Sequence, residues 1–233
     1  MRLEAITDGV SIVLLGSFNP RIFHPAWLAM RGIISSEQAD EAEVNFVTSE
    51  ITRFTAAYMT FEVQSNRFFV RCDTVHKDLI KDLVLTTFGE HLPHSPVWKL
   101  GINRAISFSC GTEGARDQLG GLLAPREPWG PWGREIDQSK LKNVRHGGMV
   151  QMIMRQEPRP DGLDGYIQAN VHPQEDDTTN VIVDINGHFG IGDSGKIVGC
   201  LDAIGTLSDH WQSSIENAEY IADGLMAAVE GLK

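Results

Sequence analysis

The chain has no run of about 18 apolar residues, so no segment reads as a membrane span. It has no cluster of lysine and arginine, and its formal net charge is −11. Binding a nucleic-acid backbone requires grouped cations to displace counterions, so neither nucleic acid nor membrane is expected as a partner. Cysteine is scarce: Cys72, Cys110 and Cys200 are odd in number and far apart. A disulfide framework is therefore not expected, and a reducing, cytoplasmic setting fits better. The first residues carry an early acid, Glu4, and no long apolar stretch, so no secretory signal is expected. A Gly-x-Ser-x-Gly elbow is absent, and His91 and His94 lack a nearby third ligand. Neither a metal nor a cofactor is expected.

What the chain does have is 233 residues of which 42% are hydrophobic, enough for one large core or two smaller lobes. The clearest pattern lies in residues 53–92. Met59, Phe61 and Val63 alternate with Thr60, Glu62 and Gln64, and after a Ser65-Asn66 turn Phe68, Val70 and Cys72 alternate with Arg67, Phe69, Arg71 and Asp73. Period-2 alternation predicts an antiparallel hairpin with one packed face. Val75, Leu79, Ile80, Leu83, Val84, Phe88 and Leu92 then follow a helical period, predicting an amphipathic helix over that hairpin.

A looser version of this plan recurs downstream. Strands are predicted around Leu100 to Phe108, where Arg104 interrupts the apolar face, and at residues 149–154, 167–171 and 181–186. The Thr206-x-x-Asp209 spacing marks a helix start, and Leu207, Trp211, Ile215, Ala218, Ala222, Leu225 and Val229 form its stripe. Strands followed by a long helix, twice over, predict an α+β fold with antiparallel sheet. The expected organisation is a lobe at 1–123, a Pro/Gly/Trp linker at 124–143 and a sheet-plus-helix lobe at 144–233, with one continuous sheet as a variant.

The chain resembles a sporadically distributed bacterial family of uncharacterised two-lobed α+β proteins. The likeness lies in the initial strand-hairpin-helix order, the Leu100-Gly101-Ile102-Asn103-Arg104 strand and the Val183-Asp184-Ile185 strand. It implies the fold and supplies no activity.

Two loops carry the chemistry of an alternative reading. Gly16-Ser17-Phe18-Asn19-Pro20 with His24 resembles the opening of the nucleotidylyltransferase signature, although position 27 is Trp where that family has a second histidine. Gly190-Ile191-Gly192-Asp193-Ser194-Gly195-Lys196 satisfies the glycine spacing of a phosphate-binding loop. Ile197 stands in it where a Mg²⁺-binding hydroxyl belongs. Read as flexible connections, both loops are structural. Read as functional, Gly16, Ser17, His24, Gly190, Gly192, Gly195 and Lys196 would serve a nucleotide-binding transferase or phosphohydrolase.

Asp184, Asn186 and His188 alternate and line one sheet face, expected to be solvated. His146-Gly147-Gly148 has the makings of a small anion nest. Trp129 and Trp132, on a Pro/Gly frame, are either interaction anchors or a lid over the core. With no complete catalytic constellation, the expectation is a non-catalytic binding or accessory protein. It would act through protein–protein association and itself form a homo-oligomer.

Overall fold

The computed structural model describes residues 3–74, 76–137, 148–196 and 199–232. The strands are β1 (Ala5–Gly16), β2 (Glu43–Val47), β3 (Ile51–Ala56), β4 (Met59–Gln64), β5 (Arg67–Cys72), β6 (Val97–Ser109), β7 (Met152–Gln156), β8 (Gly165–Pro173) and β9 (Asn180–Gly190). The helices are α1 (Pro25–Met30), α2 (Ser36–Asp40), α3 (Asp78–Thr86), α4 (Glu113–Leu123), α5 (Gly130–Asp137) and α6 (Leu201–Glu230), with a π turn at Thr87–His91 extending α3. All nine strands form one sheet in the order β2-β3-β4-β5-β1-β6-β9-β8-β7, and every pairing is antiparallel. The fold is α+β. None of the helices among the described residues is long and apolar enough to cross a membrane.

The predicted hairpin is β4–β5, with Phe61, Val63, Phe68, Val70 and Cys72 buried on one face. Its neighbour β3–β4 was not apparent in the sequence. It turns on Ala57 and Tyr58, both at positive φ (49° and 61°) without the glycine or asparagine that usually marks such a turn. The stripe of α3 buries Ile80, Leu83, Val84 and Phe88, while Leu79 is exposed and Val75 lies outside the described residues. The long helix begins at Leu201, earlier than Thr206. Inside it, the Thr206 hydroxyl donates to the Asp202 carbonyl one turn back and caps nothing. Part of the expected linker at 124–143 is folded: a 3₁₀ turn spans Glu127–Trp129 and α5 follows. Residues 138–147 lie outside the described residues, and with them His146 and Gly147.

The helices pack on one side of the sheet, where α6 crosses β6 and β9 and α3 lies against β1 and β5. Two buried apolar clusters result. One holds Ile12, Phe61, Phe68, Phe88, Ile102, Phe189 and Trp211. The other holds Ile106, Phe108, Leu119, Val183, Ala222 and Met226. Each draws on both halves of the chain, and β6 serves both.

Between them on β6 sits Arg104, 4% exposed. Its guanidinium donates through Nε and Nη2 to the two carboxylate oxygens of Asp8 on β1, both at 2.8 Å. Through Nη1 it donates to Glu219 Oε2 and to the Ile215 carbonyl of α6, both at 3.1 Å. Lys77, just before α3, also donates to Asp8. Burial pushes the Asp8 carboxyl up, but the bonds from Arg104 and Lys77 outweigh it and hold the group below its ordinary value.

Removing the partner of a buried charge is strongly destabilising. Asp8→Ala leaves Arg104 buried with Glu219, a carboxylate more than a third exposed, and should lower unfolding free energy in urea by about 3 kcal/mol. The depressed Asp8 group stabilises fully above its unfolded value of about 3.9, and this contribution is lost as pH falls through the lower folded value. Stability of the Asp8→Asn variant should therefore decline less steeply with acid than that of the parent.

Candidate functional site

No helix among the described residues covers the opposite face of the sheet. Alternation and register lay its side chains out in rows. One row crosses Phe69 on β5, Val13 on β1, Gly101 on β6, His188 on β9 and Tyr166 on β8. The next crosses Arg71, Ser11, Asn103, Asn186, Gln168 and Arg155. Where these rows pass over β6, a depression of about 270 Å³ opens around Gly101. A Cβ at Gly101 would meet Val13 Cβ and Asn103 Oδ1 at an ordinary 3.5 Å, so the backbone does not demand glycine. Lacking a side chain, this residue leaves the floor of the depression open.

The walls are polar and aromatic. The His188 ring stacks on Tyr166 with centroids 4.5 Å apart and planes 20° from parallel. On Tyr166 also lies the Arg155 guanidinium, 3.9 Å from the ring centre, held by two bonds to Gln168 Oε1. Asn103 and Asn186 are register neighbours. Asn103 donates to Ser11 Oγ at 3.3 Å, while both amide oxygens are buried without a partner among the described residues. Lys99, exposed at the rim, has no anionic partner among the described residues. Burial, and then the Lys99 charge, push the His188 imidazole below its ordinary pKa, which favours the neutral ring.

Positive charge is concentrated on this face of an acidic chain. Arg53, Arg67, Arg71, Lys99 and Arg155 stand on it, against Glu62 and Asp184 on the same strands. Some of this charge is compensated: Glu62 lies 3.0 Å from Arg67 and 3.8 Å from Arg53, and Asp73 lies 2.7 Å from Arg71. The Arg67 guanidinium also lies over Phe69 at 4.8 Å. Asp184, Asn186 and His188 do share the open face, as their alternation predicts, and Asp184 lies 3.3 Å from His172. Lys99, Gly101, Arg155 and Tyr166 were not singled out by sequence reasoning. Their signal was available in the same period-2 alternation, but the cross-strand register that unites them was not.

The two glycine loops leave the same end of the sheet, since Gly16 pairs with Val97 and Gly190 with Lys99 on β6. Gly16 is sterically required: a Cβ would lie 2.3 Å from the Pro96 carbonyl oxygen. The Ser17 amide donates to that same oxygen, and its side chain is exposed. His24 caps α1, its Nδ1 accepting from the Ala26 amide at 3.2 Å. At Gly190 a Cβ would collide with Asp164. The Gly192 amide donates to the Trp98 carbonyl, Gly195 adopts φ of +90°, and Lys196 pairs with Asp193 at 2.6 Å in solvent. Ile197 lies outside the described residues.

Trp129 and Trp132 are 61% and 57% exposed and meet edge to face, 5.3 Å apart, so they do not form a lid over the core. His94 is exposed. His91 is partly covered, its ring edge-on to Trp27 at 6.4 Å. Among the described residues no group of three or more His, Cys, Asp or Glu is placed to hold a metal. The sequence matches no family model, and no curated protein matches it.

Because the unfolded chain takes up the histidine proton first, stability should fall as pH drops below about 6.5, and His188→Gln should lack that contribution. An NMR titration checks the cause. Lys99→Met should raise the His188 pKa toward its ordinary value, and an unchanged titration would mean that the ammonium has no influence there.

Proposed function

We propose that this chain is a non-catalytic binding or accessory protein of the bacterial cytoplasm. It would act through protein–protein association, taking an acidic, extended segment of its partner on the open face of the sheet. The observation that carries this reading is the Lys99 ammonium, unpaired among the described residues, beside the Arg155–Tyr166–His188 stack and an open floor at Gly101. Arginine and tyrosine are the residue types that dominate binding energy at protein interfaces, and side chains held by stacking lose little freedom on binding. A chain with a net charge of −11 that gathers cations on one face offers an acidic partner one favourable approach. Cys72, Cys110 and Cys200, all buried and unbridged, are in keeping with a reducing setting.

Self-association belongs to the same reading. The Trp129–Trp132 pair is exposed, and so are Ile153 and Met154, which point to opposite faces of the edge strand β7. Two lobes, joined through residues 124–143 and sharing one sheet, describe the halves in this proposal. The apolar clusters on either side of Arg104 each draw on both halves, so the core divides along the sheet and not at that segment.

Fluorescence anisotropy with labelled decaglutamate as probe tests the first part. Binding should exceed that of a neutral decapeptide, weaken with salt and fall about three- to tenfold in Lys99→Glu. Equal binding of both peptides, or an indifferent variant, would remove the acidic-partner reading. For the second part, light scattering should give a mass above 25.7 kDa that returns to 25.7 kDa in a Trp129→Ala, Trp132→Ala double variant. A monomeric parent would exclude self-association and leave the partner surface untouched.

A further inference from the structure

On the helix side of β8 and β9 lies another cavity, about 360 Å³ in volume, between these strands and α6. Its strand wall is apolar, with Ile167 and Ile185, and its helix wall presents His210, Ser214 and Asn217. Gly187 lies between the two walls. A Cβ there would stand 3.8 Å from Arg159 Nη1, 3.8 Å from Ser214 Oγ and 3.2 Å from the Ile102 carbonyl oxygen. The missing side chain thus leaves a space on which a guanidinium and a hydroxyl converge.

Both groups are under-used. Arg159 is 6% exposed and lies over the Phe189 ring at 3.7 Å. Its Nε and Nη2 donate to Asp161, and its Nη1 donates to the His188 carbonyl at 3.2 Å. Among the described residues these bonds leave one N–H on each η nitrogen without a partner. The Ser214 hydroxyl is buried with no partner among the described residues, an arrangement that disfavours the empty site. Asp161 already balances the single positive charge of Arg159, so an anion here would be held by hydrogen bonds from the guanidinium and the hydroxyl and not by net charge, and a dianion would add a second uncompensated charge. A monoanion is the most the cluster accepts, with the polar groups of α6 supplying further donors.

We infer that this cavity binds a small monocarboxylate with a short apolar body. The carboxylate would sit over Gly187, between Arg159 Nη1 and Ser214 Oγ, and the hydrocarbon against Ile167 and Ile185. The site is separate from the open face and does not depend on the partner proposed for it. The two touch at one point, because Arg159 holds the backbone carbonyl of His188.

Thermal denaturation of the full chain tests this with sodium propionate and butyrate, using sodium chloride at equal ionic strength and propionamide as controls. A ligand that binds only the folded state raises Tm in a saturable way set by its concentration over Kd. Propionate and butyrate should give that rise, and neither control should. Ser214→Ala removes an unpartnered hydroxyl, so it should fold at least as well as the parent while its apparent Kd rises about tenfold. Gly187→Ala fills the space and should abolish the response. Its own Tm without ligand shows whether it folds, and the serine variant decides if it does not. No rise beyond that of chloride, an equal rise with propionamide, or an unchanged Kd in Ser214→Ala would each overturn the assignment.

Discussion

The buried Arg104 network is the constraint around which the rest of the sheet is arranged. A guanidinium that is 4% exposed persists in a protein interior only if its donors are met, and here they are met from two other elements, β1 and α6. Asp8 fixes β1 against β6, Glu219 and the Ile215 carbonyl fix α6 across them, and Lys77 brings the start of α3 to the same carboxylate. The network also interrupts the hydrophobic layer. Ile102 and Ile106, one step either side of Arg104 on the same face, belong to different apolar clusters. Buried ion pairs often stabilise no more than well-packed apolar residues would, but this one ties β1, β6 and α6 together at a single point.

That placement decides the character of the other face. With α3 and α6 committed to one side, the remaining side of β1, β6, β9 and β8 keeps its side chains open to solvent or to a partner. Its residues are not those of an indifferent surface. Stacked Arg155, Tyr166 and His188 are held in fixed orientations, and Gly101 leaves a floor where any other residue would raise one. The neighbouring strand β9 faces the α6 cavity with Gly187, the register partner of Ile102, so two adjacent strands each leave one position unfilled, one per side of the sheet.

Much of the secondary structure was legible because the sheet is amphipathic and antiparallel, which leaves a period of two in the sequence. The hairpin β4–β5 and the helix α3 that covers it follow from alternation and from a stripe of helical period. The hairpin β3–β4 did not announce itself, because Ala57 and Tyr58 take positive φ without the residues that favour it. The helix start was displaced for a similar reason: the Thr206 hydroxyl has an in-helix acceptor at Asp202, and the spacing alone cannot tell that bond from a cap. In sequence Gly16 opens a loop like the nucleotidylyltransferase signature and Gly190 opens one with phosphate-loop spacing, whereas in space each avoids a collision, with Pro96 or with Asp164.

By itself, then, the sequence determined the α+β character, the identity of most strands and the faces they bury, because periodicity is a local property that burial writes into neighbouring residues. It marked Arg104 as an anomaly on an apolar face. Only the tertiary structure decided that the nine strands make a single sheet, that Trp129 and Trp132 face outward, and that Lys99, Gly101, His188 and Tyr166 surround one depression. The physical reason is register. Those four residues sit on three strands brought side by side by hydrogen bonds between backbones, and a backbone hydrogen bond carries no side-chain signature of the residue it will meet.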